Sequence, residues 1–240
     1  EENFDFEVQR SISPLIAIHQ AKTNRCNFII SNFNDAVKQS ALHSLTEIDR
    51  RKSIIDGLSS FIYGALGEQK VAKTLEVLSD EYILINDFDV SFSPAIYNRQ
   101  ENDYIKSIQI DHILVAPSGI FLIETKNWSE KSLGNLSLRS PVQQIRRTSF
   151  VLFKLLNDGI SKHNLRLGEH HWGNKKISIK NLIVLINQKP KEEFQYVKIL
   201  TLKELPGYIN YFKPIFSNEE TRRISGFLLR INDQKTVYTN

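Results

Sequence analysis

Hydrophobic positions recur along this chain in two rhythms. Over residues 46–78, Phe61, Ala65, Ala72 and Leu75 fall at helical spacings and share one stripe, which predicts a helix capped by Thr46 and Asp49. The period then shortens. Residues 82–90 (YILINDFDV) form an apolar run of strand character, and the polar residues 91–103 read as a loop. Residues 107–116 (SIQIDHILVA) and 119–126 (GIFLIETK) flank Pro117-Ser118, so they predict a β-hairpin. A helix is expected over 141–157, with Ser140 as N-cap, Pro141 at its first position and Gln143 completing a capping box. Its inward stripe is Val142, Ile145, Ser149, Leu152 and Leu156, and Gly159 is expected to stop it. The continuous apolar run 181–187 (NLIVLIN) predicts a buried strand, with another over 197–202. Two helices are expected to follow, one near 203–212 and one capped by Ser217 with Glu220 three positions on. Residues 1–45 read as helical, interrupted at Pro14.

The core order is therefore helix, three strands, helix, strand, which predicts an α/β chain: an α+β mixed sheet with helices on its faces. The 240 residues suit one large domain over 51–240 with an N-terminal helical appendage over 1–50. That appendage is a candidate surface for a partner protein or for homo-oligomers. No apolar run approaches the roughly 20 residues needed to span a bilayer, so no membrane association is expected. The first ten residues lack the basic and apolar regions of a signal peptide, and the single Cys26 suits a reducing compartment, so a cytoplasmic location is expected.

Net charge is only +4, but its distribution is uneven. Between Arg139 and Lys180 nine basic residues face only Asp158 and Glu169, a local charge of +7 against −3 for the rest. A basic zone on a near-neutral body suits a polyanion partner, with Arg146, Arg147, Lys154, Lys175 and Lys176 as candidate phosphate contacts. A solvated basic face without a partner is the competing reading.

The hairpin carries the chemistry. Alternate residues of a strand share a face, so Glu124 and Lys126 point together and Thr125 points away. If Pro117 and Ser118 are the central turn residues, Asp111 lies across from Glu124. A turn shifted by one residue puts it across from Lys126. Two carboxylates gathered this way repel one another and are costly to desolvate. A hard divalent cation relieves that conflict, because Mg²⁺ takes one or two carboxylates together with waters and phosphate oxygens. A lysine beside them can orient a water or offset charge developing on phosphorus. Asp111, Glu124 and Lys126 around Mg²⁺ or Mn²⁺ thus make a workable site for phosphodiester hydrolysis. The competing reading is a plain cross-strand salt bridge. Glu68 falls on the expected core stripe, where an acid needs a partner, either a metal with its water, or Lys126. Gln144, just past the helix cap, is placed to hydrogen-bond a phosphate or a metal-bound water.

Other constellations are weaker. His112 points away from Asp111 and reads as a packing histidine. His163, His170 and His171 lack the spacing of a zinc site. The stretch GALGE (64–68) lacks the Gly-Lys-Ser/Thr ending of a phosphate loop.

GALGE (64–68), QIDHILVAPSGIFLIETKNW (109–128) and SPVQQ (140–144) together resemble the nuclease-related domain, or NERD, family of the PD-(D/E)xK nuclease superfamily. The resemblance covers about residues 58–212 and departs at Ser140, where the family often has Asn. It implies a restriction-endonuclease-like αβββαβ core, here with extra N- and C-terminal helices. It places the family's helix glutamate on Glu68, its metal aspartate on Asp111, its E-x-K pair on Glu124 and Lys126, and its glutamine on Gln144. The activity it implies is Mg²⁺- or Mn²⁺-dependent cleavage of DNA, in phage defence or DNA processing. The alternatives are a nucleic-acid-binding or assembly subunit that keeps the fold without cleaving, and a nuclease acting on RNA.

Overall fold

The computed structural model describes residues 2–128, 139–170, 173–174 and 177–239, with side chains for 9–128, 139–168 and 177–239. The chain divides into two compact units, residues 1–60 and 61–240. The first holds α1 (Glu2–Ser31) and most of α2 (Phe33–Leu75). Pro14 lies inside α1 rather than interrupting it. A proline removes one amide donor, and on a helix this exposed water can satisfy the carbonyl it leaves free. The second helix begins well before Thr46, whose hydroxyl instead donates to the carbonyls of Leu42 and His43 within the helix. Among the described side chains of this unit Ala36 is the buried hydrophobic one, while Leu15, Ile16, Ile30 and Leu42 are exposed.

The second unit is built on a six-stranded sheet of order β7-β6-β3-β2-β1-β8. Its strands are β1 (Ile83–Asn98), β2 (Asp103–Ala116), β3 (Gly119–Lys126), β6 (Ile179–Leu185), β7 (Val197–Thr201) and β8 (Thr236–Tyr238). A two-stranded ribbon, β4 (Glu169–His170) with β5 (Gly173–Asn174), stands apart. Strands β1 to β3 run antiparallel, β3, β6 and β7 parallel, and β8 parallel to β1. The fold is thus the expected mixed α/β architecture. The expected loop at 91–103 is largely strand, because Phe92 and Ile96 turn inward while polar neighbours turn out. The ladder shifts register between Ser91 and Ile96.

Helices cover both faces. On one, α3 (Arg139–Ser161) and α5 (Asn218–Gln234) pack Ile145, Leu152, Leu156, Ile224 and Phe227 onto Ile110, Ile113, Leu122 and Ile183. On the other, the end of α2 and α4 (Leu205–Asn210) pack Val71, Leu75, Leu205 and Ile209 onto Leu114, Phe121 and Val184. The buried side of α2 meets the expected stripe at Leu75 but not at Phe61, which is 78% exposed, and Gly67 and Val71 complete the contact. Helix α3 runs past Gly159 to Ser161. Gly159 is small because a Cβ there would lie 2.6 Å from the Phe227 ring. The left-handed His163 (φ 61°) lies two residues past the helix, with the amides of Asn164 and Leu165 returning to the Gly159 carbonyl. The capping box of Ser217 and Glu220 forms as expected. No helix among the described residues is long and apolar enough to cross a membrane.

Candidate active site

The β2–β3 ladder runs from Ala116 opposite Gly119 to His112 opposite Ile123, which fixes Pro117-Ser118 as the turn. The next pair would be Asp111 with Glu124, and there the ladder stops. Asp111 Oδ2 instead accepts a hydrogen bond from the Thr125 amide at 2.6 Å. Its carboxylate therefore fills the opening between the diverging strands.

Beyond that point β3 stays paired with β6, so Glu124 and Lys126 are held on a strand buried in the sheet. Glu124 is 2% exposed. Lys126 Nζ donates to Glu124 Oε1 at 2.8 Å, and Gln144 Nε2, from the start of α3, donates to Glu124 Oε2 at 3.4 Å. Thr125 faces the other way, against α2. A Cβ on Gly67 would lie 2.9 Å from Asn127 Cβ and 3.3 Å from Thr125 Cγ2, so this glycine lets α2 approach the end of β3. Asn127 Nδ2 reaches back to the Tyr63 carbonyl at 2.7 Å. These contacts hold Glu68 at the rim of the hairpin.

The electrostatics record the crowding. Burial, followed by the negative charges of Asp111 and Asp87, raises the Glu68 carboxyl above its ordinary range. Burial raises Asp111 against the opposing pull of the Thr125 amide and Lys126. Burial and then Asp111 raise Glu124, again opposed by Lys126. Three carboxyls thus surround one amine. His112 is buried, meets Asn86 Oδ1 through Nδ1 at 2.8 Å, and is lowered by desolvation to about 4, as befits a neutral packing residue.

The structure therefore brings Glu68, Asp111, Glu124, Lys126 and Gln144 together. A cavity of about 630 Å³, lined by Ser107, Gln109, Gln143, Gln144 and Arg147, opens beside them. The candidate phosphate contacts fare differently. Arg146 is exposed and Lys154 half-buried on α3, but Arg147 is paired with Asp103 Oδ2 at 3.0 Å. Lys175 and Lys176 lie outside the described residues, as do His171 and Trp172. Lys180, counted in the basic zone, turns inward, donating to the Ser118 carbonyl and to Ser178 Oγ and sitting over the Phe121 and Phe212 rings. The sequence reading missed Asp87. It sits between Asn86 and Phe88, which pair with His112 and Ile110, so it lies across from Asp111. Its φ of 51° is left-handed, a conformation Asp tolerates, and an acid in mid-strand was the signal for it.

Among the described residues no group of three or more His, Cys, Asp and Glu side chains converges closely enough to cage an ion. The donors do fit a hard divalent cation that takes two carboxylates and completes its shell with water and phosphate oxygens. The excess of acids over amines in this buried cluster is what such a cation would neutralise.

A family model described as nuclease-related domain matches residues 63–186, a span that contains all five clustered residues. No curated protein matches the chain, and no solved structure does.

Proposed function

The chain belongs to the nuclease-related domain (NERD) family, and on that premise we propose that it hydrolyses phosphodiester bonds of DNA with Mg²⁺ or Mn²⁺. The observation that carries this reading is the charge imbalance at the hairpin. Lys126 offsets one buried carboxylate, Glu124, while Asp111 and Glu68 stay close by without an amine of their own. A simple salt bridge would need no such surplus.

Asp111 and Glu124 would hold the metal, and Glu68 would reach it through water. When bound, the metal supplies an acidified water and neutralises charge on the phosphoryl group. Lys126, oriented by Glu124, positions the attacking water and donates toward the phosphoryl oxygens as negative charge grows there. Gln144 keeps the second oxygen of Glu124 in place and offers its amide to the substrate backbone. Hydrolysis forms a bond from the water oxygen to phosphorus, breaks one ester P–O bond, and leaves the departing oxygen protonated. The basic residues Arg146 and Lys154, on the helix that begins at the site, support a polyanionic substrate.

Incubating supercoiled plasmid with the protein in Mg²⁺, Mn²⁺ or EDTA, beside Lys126→Ala, tests the reading. Cleavage is expected with metal and wild type alone. Equal cleavage by Lys126→Ala, or cleavage in EDTA, would overturn it.

A further inference from the structure

Four arginines converge near the end of α3, away from the acids gathered at its start. His163 and Arg166, just beyond the end of α3, and Arg222, Arg223 and Arg230 of α5 line a cavity of about 540 Å³ with Gly226 among them. Arg222 and Arg230 stand one turn on either side of Gly226, so all three share a face of α5. Glu219 is bound to Arg223, which also donates to the Arg166 carbonyl. Glu220 is buried and accepts from the amides of Gly168 and Ser217. Arg166, Arg222 and Arg230 have no acidic partner among the described residues.

Like charges gathered on an exposed face repel one another weakly and create a positive field that draws an anion. The guanidinium fork suits phosphate, and a concave wall strengthens the field it meets. We propose that this cavity grips the sugar-phosphate backbone of a duplex whose scissile bond lies at the hairpin. This rests on the nuclease reading above. Helices α3 and α5 cover the same face of the sheet, and the rise from Gln144 to Ser161 is about 25 Å. A duplex must therefore extend about seven base pairs from the cleavage point to reach the arginines. The cavity is a second anchor that selects long substrates over short ones.

Gly226 offers the test. A Cβ there meets nothing within 4 Å, and Gly in a helix interior is a poor helix former, so a side chain at this position leaves the fold intact. Binding of fluorescein-labelled duplexes of about 10 and about 30 base pairs to the full chain is followed by anisotropy in EDTA, where no cleavage intervenes. Gly226→Glu is expected to weaken binding of the long duplex about tenfold and Gly226→Lys to strengthen it, with the short duplex little affected by either. Arg222→Ala with Arg230→Ala should flatten the dependence of log affinity on log salt by about 2. Wild-type binding of the long duplex by both Gly226 variants, with an unchanged slope in the arginine variant, would overturn the inference and leave the hairpin reading standing. Failure of the wild type to bind either duplex in EDTA would overturn the inference, and failure of plasmid cleavage with Mg²⁺ and Mn²⁺ would overturn the hairpin reading.

Discussion

Asp111 leaves the β2–β3 ladder and takes the Thr125 amide into its own carboxylate at 2.6 Å. One backbone donor thereby loses a carbonyl partner and gains a charged one, and the strands part beside the buried Glu124. The exchange holds Asp111 across from Glu124 without a direct bond between the two. It also makes Asp111 a strand cap as well as, in the proposed reading, a metal-holding acid.

These two tasks separate on substitution. In Asp111→Asn the side-chain carbonyl still accepts from Thr125, while the charge that repels Glu68 and Glu124 is gone. In EDTA the variant should melt no lower than wild type, and cleavage should fall at least about a hundredfold, in line with losing about 2.7 kcal/mol of transition-state stabilisation. A strongly lowered melting temperature would show that the carboxylate is chiefly a structural cap.

Gly67 sets how closely α2 approaches β3. Gly67→Ala places a methyl 2.9 Å from Asn127 Cβ and should cost about 1–3 kcal/mol through overpacking. Because it displaces the turn that carries Glu68, cleavage should fall more steeply than stability does. Thermal unfolding and plasmid cleavage, measured on the same preparation, check this. Unchanged activity would mean that the position of Glu68 does not matter.

The raised carboxyls make stability depend on pH and, in the proposed reading, on metal as well. Glu68, Asp111 and Glu124 hold protons more tightly folded than unfolded. Their contribution is therefore fully present below the ordinary carboxylate range and is lost as pH rises through their elevated values. His112, lowered to about 4, works the other way: its contribution is present above the ordinary histidine value and lost as pH falls toward 4. In the proposed reading Mg²⁺ binds the ionised acids, so the gain in melting temperature on adding it should grow as pH rises from the ordinary carboxylate range toward neutrality. Taking the difference with and without Mg²⁺ removes the His112 contribution. A gain independent of pH would place the cation elsewhere.

The hairpin was legible because Pro117-Ser118 pins the turn and the alternation around Asp111 and Glu124 has one reading per register. Helix α3 was legible from its apolar stripe, whereas Ser140, expected as its cap, lies inside a helix that begins at Arg139. Helix α2 was not, since it carries apolar residues all round: Phe61, Ile62 and Tyr63 are exposed, and the inward side is marked by Gly67 and Val71. Its start was missed because nothing between Phe33 and Thr46 breaks a helix. Glu68 was thus singled out on a stripe that does not exist as drawn, although it does reach the cluster. Asp87 was passed over because the run 82–90 reads as an apolar strand, in which the acid itself was the trace to follow. The arginines of α5 escaped notice because Glu219 and Glu220 mask them in any count of charge along the chain.

The central claim is that Asp111 and Glu124 gather a divalent cation, and Mn²⁺ binding followed by electron paramagnetic resonance tests it most directly. Wild type should bind Mn²⁺ at a saturable site that Mg²⁺ competes for, and Asp111→Asn and Glu124→Gln should each weaken that binding at least about tenfold, or about 1.4 kcal/mol. Equal Mn²⁺ affinity in all three proteins would contradict the account.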